Sequence, residues 1–331
     1  MERMHRNERI AALLKFLTDS PNRLFTLSHF CAMFASARST LSEDLELLRQ
    51  VLKTYDLGVL DSIPGPGGGV RFRPVMTAEG ALAFVRELCA ELRAPWRLLP
   101  GGFLYTADIL GDPRKVRPMA AVIAGRFYDA QPDFVLTVAS SGIPVALLTA
   151  EALGIPLVTA RRDPTGQPKA GFGPAVSIHY AAGLGAPFSH LPGENPLNPG
   201  GGDGTVRKRE DAPGPGGTER LRRLGRAASR RWENGAGPSG LRVMSIPRRA
   251  VREGQAGLIM DDCMMTGGTV KGMRDLLAEA GASVAGAAVA IAVSRPARRP
   301  EAGVFALLRV DVDEEAGTFT VKPSKDLAGT L

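Results

Sequence analysis

The stretch GLIMDDCMMTGGTVKGM, residues 257–273, decides the fold of the larger part of this 331-residue chain. It begins with an apolar run typical of a buried strand and continues into two adjacent aspartates, Asp261 and Asp262. The loop Thr-Gly-Gly-Thr at 266–269 then leads into a helix that the apolar spacing predicts for 270–280. A strand, a polar loop and a helix in that order predict a parallel α/β sheet, which binds its ligands at the carboxyl ends of its strands.

The aspartates and the loop have the chemistry to hold a phosphorylated sugar. Two ionised carboxylates side by side accept hydrogen bonds from a diol, so they suit a ribose or a metal-bound ribose. At 266–269 the free backbone N–H groups and the helix dipole favour a phosphate, and glycine lets the backbone approach closely. The residues alone therefore predict a ribose 5-phosphate ligand.

Other strand and helix patterns repeat the same unit. FVLTVAS at 134–140 is followed by a helix in IPVALLTAEALG at 143–154, and the next strand is IPLVTARRD at 155–163. This alternation supports a parallel sheet. The end of the chain differs, since VFALLRVDVDEEAGTFTVKPS at 304–324 predicts an antiparallel hairpin that turns at 315–317.

The beginning of the chain predicts a separate, mostly helical domain. Apolar spacing predicts helices at 6–19, around 27–34 and in SARSTLSEDLELLRQVL at 36–52, where Thr40 and Glu43 have the spacing of a capping box. Two short apolar runs joined by a glycine-rich turn then predict a β-hairpin. Three helices followed by a hairpin predict a winged helix-turn-helix.

The chain is therefore predicted to contain a winged-helix domain at 1–74 and an α/β domain at 75–331. One segment, 185–240, is rich in glycine, proline and arginine and poor in aliphatic residues, so we expect it to be disordered. It separates the strand-like runs 175–182 and 241–249, which places it at the tip of a long β-hairpin. Its many arginines either add nonspecific DNA affinity or only keep the segment soluble.

Composition narrows the class of protein. The net charge of +7 is spread along the chain, so it is only weak evidence for an acidic partner. Cys31, Cys89 and Cys263 are odd in number and far apart, which predicts neither a disulfide framework nor a zinc site. The N-terminus lacks a signal-peptide pattern, and no apolar run is long enough to span a bilayer. We expect a cytoplasmic protein with no membrane role.

The opening stretch resembles the phosphoribosyl-pyrophosphate (PRPP) signature of the type I phosphoribosyltransferases, in which an apolar run, an acidic pair and T-G-G-T follow one another. The resemblance implies that this stretch binds PRPP, that the turn before the helix at 143–154 binds pyrophosphate, and that basic pairs on nearby strands neutralise the ligand. The implied PRPP-binding residues are Asp261, Asp262, Met265, Thr266, Gly267, Gly268, Thr269, Ser140, Ser141, Gly142, Ile143, Arg161, Arg162, Arg248 and Arg249.

Across nearly the whole chain, apart from 185–240, the order of motifs resembles the purine operon repressors of Gram-positive bacteria. The motifs are SARSTLSEDL, SIPGPGGGV, LPGGFLYTADILGDP, TVASSGIP, AVSIHY and DDCMMTGGT. The resemblance implies a homodimeric repressor that binds double-stranded DNA at purine genes and is released by PRPP, with Mg²⁺ as a companion of PRPP. It also implies a sensor domain without catalytic turnover, so we assign no catalytic residue and no metal ligand.

The same resemblance implies DNA contacts from the polar front of the third helix and from the basic wing strand. These residues are Arg38, Ser39, Thr40, Ser42, Arg71 and Arg73. Two positions depart from the family: Phe103 stands where we expect a tyrosine, and Ser141 where we expect a basic side chain. Two other functions stay open, namely a purine phosphoribosyltransferase with an accessory DNA-binding domain and a regulator that responds mainly to guanosine tetraphosphate.

Overall fold

A computed structural model describes residues 4–99, 103–163, 175–181, 241–295, 301–313 and 316–329. It begins with three helices and a two-stranded antiparallel hairpin, which confirms the predicted winged helix-turn-helix. The elements are α1 (Arg6–Thr18), α2 (Leu27–Phe34), α3 (Arg38–Thr54), β1 (Val59–Ile63) and β2 (Gly69–Arg73). The predicted segment 185–240 lies outside the described residues.

Helix α3 buries a stripe of leucines against the other two helices, as its apolar spacing predicts. An ion pair adds to this packing: Asp44 is fully buried and accepts hydrogen bonds from Nε of Arg9 at 2.6 Å and Nε of Arg6 at 3.1 Å, which fixes α3 to α1. The predicted capping box was wrong. The helix begins before Thr40, with Ala37 as its N-cap and no side-chain hydrogen bond there.

The wing is attached to the helices by a third extended segment. Phe25, just before α2, exchanges backbone hydrogen bonds with Val70 of β2, at 2.9 and 2.8 Å. A side chain at Gly69 would place its Cβ 2.1 Å from the carbonyl oxygen of Phe25, so this contact requires glycine. The glycine-rich turn therefore joins the two strands of the hairpin and also lets the hairpin pack against the segment before α2.

The larger domain is built on one eight-stranded mixed sheet. Helix α4 (Ala78–Leu92), the strands β3 (Leu98–Leu99) and β4 (Phe103–Leu104), and the helices α5 (Ala107–Leu110) and α6 (Pro113–Phe127) come before it. The sheet and its helices are β5 (Phe134–Val138), α7 (Ile143–Leu153), β6 (Leu157–Asp163), β7 (Ala175–Ala181), β8 (Leu241–Pro247), β9 (Ala256–Met264), α8 (Gly268–Glu279), β10 (Ser283–Ser294), β11 (Phe305–Asp313) and β12 (Thr318–Pro323).

The strand order is β12-β11-β10-β9-β5-β6-β8-β7. The five central strands are parallel, as predicted, and the helices α7 and α8 connect β5 to β6 and β9 to β10. Both predicted hairpins are present at the two edges: β11 pairs antiparallel with β12, and β7 with β8. The β7–β8 pairing extends to Ala181 and Leu241, the residues on either side of 182–240.

Alternate residues of the central strands supply two apolar layers. Val135 and Leu258 pack on the face covered by α4, α6 and α7, whereas Leu136 and Ile259 pack on the face covered by α8. The core of the winged-helix domain is a third, separate cluster that ends at Phe72. A division after residue 74 would leave every cluster whole.

The described residues also bear on two predictions from composition. All three cysteines are free thiols. Within the described ranges no helix has both the length and the apolar character needed to cross a bilayer.

Candidate functional site

The acidic pair lies inside a strand rather than just after one. Strand β9 continues to Met264, four residues beyond the predicted end, so Asp261 and Asp262 are only 3% and 4% exposed. Oδ2 of Asp262 accepts a hydrogen bond from Oγ of Ser141 at 2.6 Å. Oδ1 of Asp261 accepts one from the backbone N–H of Asp262 at 3.1 Å. The pair is thus held in place by its own strand and by the turn after β5.

Burial makes this pair electrostatically costly. Desolvation, together with the neighbouring charge and hydrogen bond of Asp262, raises the pKa of Asp261 well above its usual range, and the positive charge of Arg162 only partly opposes this. A ligand that donates hydrogen bonds to the carboxylates would relieve the cost. The site is therefore suited to bind a hydroxyl-rich or cation-bearing ligand.

The loop after β9 leaves a helix N-terminus open. Gly267 is the N-cap of α8, with φ of 83° and no side-chain hydrogen bond to the first turn. A side chain there would place its Cβ 2.6 Å from Cβ of Glu301, so both the conformation and the contact favour glycine. First-turn N–H groups without a capping side chain form a site for an anion.

Arg162, at the end of β6, contacts this loop. Its Nη2 donates a hydrogen bond to Oγ1 of Thr269 at 3.0 Å. Its Nε is buried and has no hydrogen-bond partner in the part of the chain that the structure describes. A buried cationic donor without a partner is costly unless an anion completes it. This second feature points to the same ligand chemistry as the helix N-terminus.

The turn between β5 and α7 lies directly beside the acidic pair. A side chain at Gly142 would place its Cβ 3.2 Å from Oδ1 of Asp261 and 3.1 Å from the backbone nitrogen of Asp262. Ser140 is half-buried, and Ile143 is the first residue of α7. Sequence reasoning missed Thr137 beneath this turn, since a buried threonine in an apolar strand gives no signal. Its Oγ1 has no partner among the described residues.

The remaining predicted loop residues fall at the same edge. Thr266 is half-buried between β9 and α8, and Gly268 begins α8. The side chain of Met265 instead packs against the apolar layer that contains α6 and α7. Met265 is therefore placed to offer a ligand at the loop its backbone, while its half-buried side chain serves the core.

Three predicted arginines are not brought to this site. Arg161 neighbours Arg162 on β6, and adjacent strand residues point to opposite faces, so only Arg162 faces the loop. Strand β8 runs antiparallel to β6, with Val243 beside Asp163. The exposed Arg248 and Arg249 follow the end of β8 and so lie toward the amino end of β6, away from the ligand edge. The prediction that they reach the ligand is not supported.

The predicted DNA-contacting residues of α3 are accessible. Arg38, Ser39 and Ser42 are exposed and Thr40 is half-buried. Ser42 donates its hydroxyl to the carbonyl oxygen of Arg38 at 2.9 Å. Since the N-cap residue supplies no side-chain hydrogen bond, the first-turn N–H groups of α3 are also open to a phosphate oxygen.

The predicted wing contacts must be corrected. Nε and Nη2 of Arg73 donate to both carboxylate oxygens of Asp61, at 2.6 and 2.9 Å, and Nε of Arg71 donates to the same carboxylate at 3.2 Å. Both guanidinium groups also lie over the ring of Tyr128, at 4.4 and 5.1 Å from its centroid. The two arginines therefore face the larger domain instead of being presented to DNA.

Two family models match the chain. The model for the N-terminal domain of bacterial purine repressors matches residues 5–74, and the model for the phosphoribosyl transferase domain matches residues 107–324. The second match covers most of the larger domain.

Characterised relatives cover nearly the whole chain. The purine biosynthesis transcriptional activator PurR of Lactococcus lactis is 32% identical over 86% of this chain and 84% of its own length. The purine biosynthesis transcriptional repressor PurR of Bacillus subtilis is 31% identical over 87% of this chain and 81% of its own. Among solved structures, adenine phosphoribosyltransferase from Thermoanaerobacter pseudethanolicus covers 62% of this chain and 87% of its own at 16% identity, with a TM-score of 0.40.

Proposed function

Since this chain belongs to the PurR family of purine-biosynthesis transcriptional regulators, we propose that it represses purine-biosynthesis genes by binding double-stranded DNA and that PRPP releases it. The relatives include both a transcriptional activator and a transcriptional repressor. Repression is the simpler reading of this chain, because a ligand-sensitive domain joined to a DNA-binding domain can act by occupying a promoter.

One observation carries the effector assignment: the acidic pair and two turns meet at one edge of the sheet. Ser141 donates to Asp262 at 2.6 Å, and Arg162 donates to Thr269 at 3.0 Å. In the proposed complex the loop at 266–269 holds the 5-phosphate and the aspartates hold the ribose hydroxyls. The turn at 140–143 and Arg162 hold the pyrophosphate, which Mg²⁺ accompanies.

For DNA, the proposed contact is the amino end of α3. The exposed Arg38, Ser39 and Ser42 would meet base edges or phosphates in the major groove, as the recognition helices of helix-turn-helix proteins do. The buried Asp44 ion pairs hold α3 rigidly on α1, so the helix is presented in a fixed orientation. A dimer would place two such helices on successive turns of the duplex.

The test is operator binding measured by fluorescence anisotropy on purine-gene promoter fragments, with and without PRPP and Mg²⁺. We expect PRPP to weaken binding of the wild-type chain. The double variant Asp261→Asn/Asp262→Asn should bind the operator normally and lose the response, because its changes lie in the effector domain. Asp275→Asn, on the exposed side of α8, is the matched control. A wild-type chain that ignores PRPP at moderate salt would refute the proposal.

The proposal includes a sensor that breaks no bond, and this part is tested separately. Each purine base is incubated with PRPP and the chain, and released pyrophosphate is measured. Turnover that disappears in the double aspartate variant would establish a phosphoribosyltransferase instead. Competition between guanosine tetraphosphate and PRPP in the same anisotropy assay would show whether the regulator responds to the alarmone at this site.

A further inference from the structure

The two domains meet at a small polar junction formed by Asn22, Tyr128, Leu153 and Gly154. Asn22 lies in the turn between α1 and α2, with φ of 60°. Its Nδ2 donates to the carbonyl oxygen of Leu153 at 2.6 Å, and its Oδ1 accepts a hydrogen bond from the hydroxyl of Tyr128. Its backbone N–H donates to the carbonyl oxygen of Phe72 at 2.7 Å. One residue thus joins the wing to the ends of α6 and α7.

The end of α7 is tightly packed against the turn between α1 and α2. Gly154 ends that helix with φ of 67°, and a side chain there would place its Cβ 2.9 Å from the carbonyl oxygen of Pro21 and 3.1 Å from Cβ of Asn22. The backbone of the α1–α2 turn therefore rests directly on the helix end. Any movement of this end must move the turn or break the contact.

The wing is held at the same place. Arg71 and Arg73 stack on the ring of Tyr128 while Asp61 binds both guanidinium groups. Tyr128 therefore contacts the winged-helix domain through its hydroxyl and through its ring. The junction engages both the helical part and the wing of that domain.

The other end of α7 lies in the proposed effector site. Its N-cap is Gly142, which packs against the Asp261 carboxylate and the backbone of Asp262. The helix has 11 residues, so it spans about 16 Å between the two ends. A helix of this length moves as a rigid body, and α6, which carries Tyr128 just past its end, packs along it.

We propose that α7 transmits effector binding to the DNA-binding domain through the Asn22–Tyr128 junction. The proposal rests on the proposed function, since it supplies the route by which PRPP would act on DNA. A ligand that draws the turn at 140–142 toward itself displaces α7, and the displaced helix end shifts the winged-helix domain. PRPP then favours an arrangement of the domains that binds the operator less tightly.

The test uses two variants of the full-length chain. Asn22→Gly removes both side-chain hydrogen bonds and keeps a residue that accepts φ of 60°. Tyr128→Phe removes only the hydroxyl and keeps the ring under the arginines. The quantity measured is the ratio of the operator Kd with saturating PRPP to that without PRPP. We expect this ratio to fall about fivefold or more in each variant, which is the lower range of usual allosteric coupling.

Calorimetry with PRPP and Mg²⁺ completes the test, and each variant should still bind PRPP within about twofold of the wild-type affinity. Tyr55→Phe, at an exposed tyrosine outside the junction, is the control and should keep the wild-type ratio. Wild-type ratios in both junction variants, or loss of PRPP binding in them, would overturn the inference. If Asn22→Gly does not fold, Tyr128→Phe decides alone. A wild-type chain without any PRPP response would instead refute the proposed function.

Discussion

At the scale of single residues, the buried carboxylate of Asp261 lowers the free energy of unfolding at neutral pH. The residue is 3% exposed, and burial with the adjacent Asp262 raises its pKa above the unfolded value of about 3.9. The folded state therefore holds this proton more tightly than the unfolded state. Stability is lost as pH rises from the unfolded pKa through the folded pKa, and it stays lower at all higher pH values.

Asp261→Asn is therefore expected to raise the free energy of unfolding at neutral pH, because the neutral amide carries no charge to be desolvated. The gain should shrink as the pH falls toward 4, where the wild-type carboxyl is itself protonated. Urea unfolding of both chains at several pH values measures this, with Asp275→Asn as the control at an exposed position. A variant that is less stable than wild type at pH 7 would contradict the conclusion that the buried carboxylate of Asp261 costs stability.

Arg38 and Arg73 are the same residue type in very different surroundings. Arg38 is exposed at the start of α3, whereas Arg73 is bound to Asp61 and Tyr128. We expect Arg38→Gln to weaken operator binding and to reduce the slope of log Kd against log salt by about 0.9, the value for one phosphate contact. Arg73→Gln should leave that slope unchanged. A slope that is reduced equally in the two variants would place the wing on the DNA after all.

At the scale of elements, the end of α7 combines two demands on one glycine. Gly154 has φ of 67° and no room for a Cβ, while Gly317 has φ of 64° and no atom of the described residues within 4 Å of the same position. Gly317→Ala should cost about 1–2 kcal/mol from backbone strain alone. Gly154→Ala should cost about 1–3 kcal/mol more, because the added carbon meets Pro21. Urea midpoints of the two variants measure the difference, and equal costs would mean that the domain contact yields freely.

Most elements could be predicted because their residues repeat with a clear period. The leucines of α3, the apolar central strands and the glycine loops before α7 and α8 all gave patterns that the structure confirms. The predicted end of β9 was too early, because charged residues normally come after the buried part of a strand and not within it. Here Asp261 and Asp262 remain inside the strand, and local polarity gives no sign of that.

The errors at the site have a related origin. Arg161 and Arg162 look alike in sequence, and only the strand's twofold alternation separates them. For Arg71 and Arg73 the partner ring lies more than fifty residues away, on the other domain, and no local pattern announces Tyr128. Contacts between domains are set by surface shape and by single polar residues such as Asn22, which carry no periodicity.

At the scale of the whole molecule, the segment 182–240 lies between two strand residues, Ala181 and Leu241, that pair with each other. Ala181 and Leu241 pair directly, so β7 and β8 could be joined by a two-residue Asn-Gly turn. Six arginines lie between 220 and 231. If all six released counterions from DNA, they would contribute about 5 to the slope of log Kd against log salt.

We expect a chain with 182–240 replaced by Asn-Gly to keep the wild-type operator affinity, salt slope and PRPP response, each within about twofold, because α3 and the effector site are built from other residues. Anisotropy titrations from low to moderate salt measure all three. A second chain that keeps the segment but has its six arginines changed to glutamine is the control, since it separates charge from length. If the slope of log Kd against log salt falls by about 5 in both chains, the segment has a direct role in DNA binding. If it falls in the shortened chain alone, the length of the hairpin matters instead.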